Sequence, residues 1–93
     1  MSDRVARIEA RLREALQPTR LEIRDDSHRH VGHEGARDGR GHFAVEIVSP
    51  AFEGLGLLAR HRLVHAALEP LLKTDIHALQ IRALSPSEMP RKG

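Results

Sequence analysis

The 93-residue chain has no cysteine, tryptophan or tyrosine, and its two phenylalanines, Phe43 and Phe52, are its only large aromatics. Without thiols it forms no disulfide, secretion gains no support, and any iron–sulfur or thiolate-bound zinc site must take its sulfur from elsewhere. Without aromatic platforms it lacks the stacking surfaces used on single-stranded nucleic acid. No apolar run approaches the roughly 20 residues needed to span a bilayer. The opening Met1-Ser2-Asp3-Arg4 offers no apolar stretch for a signal peptide. The expectation is therefore a cytoplasmic protein with no membrane contact. An excess of one charge is missing too: 15 basic residues face 13 acidic ones, for a net +2. Acids are spread among the bases, so no strong counterion-release drive onto nucleic acid is evident.

What the chain does have is histidine. Three of its seven histidines fall within six residues, His28-Arg29-His30-Val31-Gly32-His33. Imidazole is a common ligand for borderline metals and titrates near neutral pH. The surrounding stretch, Ser27 to Gly41, holds Gly32, Gly35, Gly39 and Gly41 with almost no apolar content. So long a connection in so small a domain is usually functional or irregular. No hydrolytic site is apparent. Ser27 and Ser49 lack nucleophile-elbow glycines, and Asp25-Asp26 are adjacent rather than separated as paired catalytic carboxylates are. A non-enzyme with no small-molecule substrate is expected.

Periodicity gives the element order. Val5, Ile8, Leu12 and Ala15 or Leu16 share one face of a helix from about Ser2 to Gln17, capped by Ser2 and closed by Pro18. Leu21 and Ile23 alternate with charged residues in a short strand that Asp25-Asp26-Ser27 ends. Phe43, Val45 and Ile47 alternate in a second strand, His42 to Val48. Ser49-Pro50 starts a helical turn that Gly54 stops. A long helix, Leu57 to Lys73, buries Leu57, Val64, Leu68 and Leu71, sends Arg60, Arg62 and Glu69 outward, and loosens at Pro70. Ile76 to Leu84 is the last strand, and a polar, frayed tail follows from Pro86. One domain spans residues 1–86, burying roughly 60–65% of its unfolded surface, with a tail over 87–93.

The order α-β-β-α(short)-α-β implies a two-layer α+β domain: a three-stranded mixed sheet, antiparallel then parallel, with helices on one face. The beginnings of the second and third strands then lie at one sheet end, so His42, His77 and part of the histidine loop can approach one another. By its parity with Leu79, Ile81 and Ala83, His77 should point toward the helices. The helix segment Arg60-His61-Arg62, with Lys73, could contact phosphates, and the tail adds Arg91 and Lys92, although a charged run on a helix is usually a solvated face. The string Gly32-His33-Glu34-Gly35 matches a KH-type GXXG clamp but falls in a strand–strand loop, which counts against that role.

Five blocks carry a resemblance: Asp25-Asp26-Ser27-His28-Arg29-His30, His42-Phe43, Ser49-Pro50-Ala51-Phe52-Glu53-Gly54, Arg60-His61-Arg62-Leu63-Val64-His65-Ala66-Ala67-Leu68 and Ile76-His77-Ala78-Leu79. Over about Arg20 to Pro86 the chain resembles the BolA family. The resemblance implies a class II KH-like fold without a functional GXXG. It also implies a monothiol glutaredoxin partner and a 2Fe–2S cluster shared with the glutaredoxin cysteine and a glutathione thiolate, with no cofactor in the isolated chain. The ligands it implies here are His77 and a loop histidine, His30 or His33, with His42 as a further recurrent histidine. Imidazole ligation raises a cluster's reduction potential and makes it acid-labile, which suits transfer or sensing. Some BolA proteins are described as DNA-binding regulators of stress and cell-shape genes, and the resemblance places that contact on the helix of Arg60 and Arg62.

Overall fold

The computed structural model describes residues 3–26 and 41–89. His28, His30 and His33, the Gly32–Gly35 string, the Ser2 cap, Arg91 and Lys92 lie outside them. The elements are helix α1 (Asp3–Leu16), strands β1 (Arg20–Asp25) and β2 (Gly41–Val48), helix α2 (Leu57–Thr74) and strand β3 (Ile76–Leu84). Short 3-10 turns at Pro50–Phe52 and Pro86–Glu88 follow β2 and β3.

In α1 the three- and four-residue spacing places Ile8, Leu12 and Leu16 in the core. The helix stops because Gln17 takes a left-handed φ of 46° ahead of Pro18, a conformation that escapes the clash proline imposes on a preceding helical residue. β1 pairs antiparallel with β2, Leu21 opposite Ile47 and Ile23 opposite Val45. β3 returns parallel to β2, giving the order β1-β2-β3. Phe43, Val45, Ile47 and Ala83 meet Val64, Leu68 and Leu71 of α2 and the α1 stripe in one core. The two helices thus cover one face of the sheet, while His42, Ala44 and Glu46 alternate onto the other.

Three expectations need correction. Leu57, expected in the core, is 67% exposed, and Arg60, expected outside, is 9% exposed. The buried side of α2 therefore begins with a cation, because the carbonyls of Leu55 and Ala83 need a donor there. The third concerns the C-terminal end: Pro86 begins a 3-10 turn held back against the domain rather than a frayed tail.

Pro70 does not end α2, which continues to Thr74. Proline withholds the N–H that would have reached the Ala66 carbonyl. Its exposed position spares the core a misfit ring. Arg11 of α1 donates to the next carbonyl, Ala67 O, at 2.7 Å, so the neighbouring helix supplies a polar contact where the backbone ladder is weakened.

Ser49 joins both layers. Fully buried, its Oγ donates to Leu16 O at 2.5 Å and accepts from Ala51 N at 3.1 Å. It caps the 3-10 turn and ties the end of α1 to the end of β2. Ser49→Ala leaves the Leu16 carbonyl without that donor and should destabilise the domain by about 1–3 kcal/mol. Urea unfolding measures this, and an unchanged midpoint would refute the tie.

Candidate metal centre

The sheet end at the start of β2 and β3 gathers the histidines. Gly41 N donates to Asp75 O, and Asp26 N donates to His42 O, each at 2.8 Å. The pairing then slips. Gly41 lies opposite Ile76, but His42 lies opposite Ala78, so His77 is an extra residue on β3. A bulge of this kind breaks the two-residue alternation locally. Ile76 is buried, His77 and Ala78 are both exposed, and Leu79 turns inward again.

This overturns the expectation that His77 faces the helices. The parity argument holds for Leu79, Ile81 and Ala83 but ends at the bulge. His77 turns outward beside His42, with ring centres 5.2 Å apart and planes inclined at 55°. The expected convergence of these two histidines at one sheet end is present. His61 and His65 are not part of it, because α2 lies across the sheet. His65 is exposed, and His61 is half-buried with its Nε2 enclosed and lacking a hydrogen-bond partner among the described residues. Among the described residues, no group of three or more His, Cys, Asp or Glu side chains could hold a metal ion.

Asp75 sets the bulge in place. It caps α2 through Asp75 N to Leu71 O at 2.7 Å, and its carboxylate meets Arg7 of α1 at 2.5 Å. An acid at the negative end of a helix opposes the macrodipole. Its occurrence in Lys73-Thr74-Asp75 was the available signal that a cation must approach from elsewhere, and sequence reasoning missed it.

The rest of the helix-free face is charged but internally balanced. A groove of about 600 Å³ runs over Ala44 between Glu22, Arg24, Glu46, Gln80 and Arg82. Glu46 meets both Arg20 (3.9 Å) and Arg82 (3.5 Å), and Arg24 meets Asp26 at 2.9 Å. Such exposed pairs add little stability, and together they leave no one-signed field to attract a phosphate chain.

Of the proposed nucleic-acid contacts, Arg62 and Lys73 are exposed on α2, whereas Arg60 is committed inside the domain. Its Nε donates to Leu55 O at 2.8 Å and its Nη1 to Ala83 O at 3.0 Å. Nη1 and Nη2 grip Glu88 in a fork at 2.5 and 3.0 Å. Glu88 also accepts from Ser85 N at 2.8 Å, and Ser87 Oγ donates to Glu53 at 2.9 Å. This clasp closes the sheet end opposite the histidines.

The fold and this histidine pair define a small α+β domain whose helix-free sheet end presents imidazoles. A family model for BolA-like proteins matches residues 12–88, and the chain belongs to that family. It is 43% identical over 95 residues to the chloroplastic protein BOLA1 of Arabidopsis thaliana, covering 99% of this chain and 59% of that one. It is 47% identical over 83 residues to human BolA-like protein 1, covering 89% and 58%. The chain thus spans less than two thirds of the length of these relatives. Among solved structures, Arabidopsis BolA1 superposes with a TM-score of 0.81 at 41% identity, covering 97% of this chain and 100% of that one. The BolA domain of Arabidopsis SufE1 does so with a TM-score of 0.83 at 40% identity, covering 96% and 99%. No helix among the described residues is long and apolar enough to cross a membrane.

The clasp generates a pH prediction. The Arg60 fork, followed by the Ser85 amide, lowers the Glu88 pKa from 4.5 to about 2. A carboxylate with a depressed folded-state pKa stabilises the fold above its unfolded value and loses that contribution as pH falls through the folded one. The stability gap between the wild type and Glu88→Gln should therefore be full above about pH 4.5 and shrink toward pH 2. Thermal melts across that range read it, and a gap independent of pH would contradict the clasp.

Proposed function

We propose that this chain is a non-enzymatic adaptor that pairs with a monothiol glutaredoxin and co-ligates a 2Fe–2S cluster in cluster trafficking or iron sensing. The observation that carries this reading is the bulge that turns His77 outward beside His42. A ligand that completes a cluster held by another protein must stand on an open surface, and His77 does. Imidazole is an established ligand of 2Fe–2S iron, so the donor set fits the group.

In this reading His77 is one ligand, and His30 or His33 is the second. With no cysteine in the chain, all thiolate sulfur comes from the partner's cysteine and from glutathione. Asp75 and Gly41 hold the ligand strand in register, and His42 packs beside the ligand ring. The cluster, when bound, supplies the electron-accepting and transferable iron. The alternative, a DNA-binding transcriptional regulator using Arg60, Arg62 and Lys73, retains Arg62 and Lys73 as exposed cations. It loses Arg60, whose guanidinium serves the clasp.

Adding the chain to a cluster-bearing, glutathione-loaded monothiol glutaredoxin should change the visible absorption and circular dichroism of the cluster, saturating at equal stoichiometry. His77→Ala should abolish the change, and His65→Ala, across the sheet, should preserve it. Identical spectra for His77→Ala and the wild type would refute the assignment.

A further inference from the structure

We infer that His42 and His77 form a chelate for one borderline divalent ion, Zn²⁺ or Cu²⁺, in the chain on its own. This site shares His77 with the cluster reading but requires neither a glutaredoxin nor a cluster.

The geometry is the first argument. Zinc–imidazole bonds are about 2.0–2.1 Å long and arranged tetrahedrally, so two imidazoles on one ion have ring centres roughly 5 Å apart. His42 and His77 stand at 5.2 Å. The ring separation therefore already matches that of a chelate.

The second argument is support. His42 is held on the central strand, with its Nε2 enclosed and its carbonyl bonded to Asp26 N. His77 is the exposed member, and the bulge keeps it on the same face. One fixed and one adjustable ring suit an ion that sets its own angles. Chemistry narrows the ion. Imidazole favours zinc and copper over magnesium or calcium, and Cu²⁺ should bind more tightly than Zn²⁺ by the ordinary order of divalent affinities. With no thiolate in the chain, water completes the shell, which makes the binding exchangeable.

Aromatic-type contact alone also places rings about 4.5–7 Å apart, so the experiment must separate packing from chelation. The full chain is titrated with Zn²⁺ by calorimetry, with the histidine proton resonances followed by NMR. One ion should bind at this site per chain, shifting the resonances of His42 and His77. Affinity should fall in His77→Ala, and in His42→Gln, by more than the roughly 10–100-fold typical of losing an outer-shell partner. Unaltered circular dichroism would show that both variants fold. A variant with His28→Gln, His30→Gln and His33→Gln together should still take up the ion at this site. Absence of uptake by the wild type, unchanged affinity in either single variant, or loss of all binding in the triple variant would overturn the inference. No glutaredoxin is present in this titration, so failure of the cluster reading leaves its outcome unaffected.

Discussion

Everything distinctive about the histidine end follows from one displaced pairing. Between Gly41 and His42 the strands slip by a residue, so β3 carries one amino acid more than β2 over that step. Without the slip, a strict two-residue alternation would put His77 under the helices among Leu79 and Ile81, where a metal-bound imidazole would be costly to reach. Asp75 stands immediately before the slip, tied at once to α2, to the start of β2 and to Arg7 of α1. The position of one exposed ring is thereby coupled to the packing of both helices.

The two ends of the sheet divide the labour. At one end, irregular pairing brings imidazole nitrogen donors to the surface. At the other, Arg60 of α2 donates to the segment before that helix, to the end of β3 and to the Pro86–Glu88 turn from one buried centre. Between them the helix-free face is a lattice of opposed charges with little net field.

Much of this was legible in the residues. Alternation in Phe43, Val45 and Ile47 and helical spacing in Ile8, Leu12 and Leu16 are strong local signals, and element order then fixed the antiparallel and parallel pairings. His42 and His77 were correctly brought to one end because topology alone does that. What escaped was non-local. The bulge arises from how two separate segments pair, and no property of Ile76-His77-Ala78 announces it. Arg60 and Arg62 have the same chemistry two positions apart, and what draws the first inward is Glu88, 28 residues further on. Pro70 was read as a loosening inside a helix that runs to Lys73, and α2 runs through it to Thr74. Arg11 of the other helix bonds the Ala67 carbonyl, next to the Ala66 carbonyl that proline leaves without its N–H.

The Arg60 centre also determines where the domain can safely be shortened or extended. Removing the stretch after Leu84 would take Glu88 from the Arg60 guanidinium, leaving it the Leu55 and Ala83 carbonyls but not its paired carboxylate, and breaking such a pair from one side is costlier than losing a surface contact. Fusion partners, affinity handles and boundary choices for expression therefore belong beyond Met89. A fragment cut at the last strand should be markedly less stable even though every strand and long helix of the domain is present.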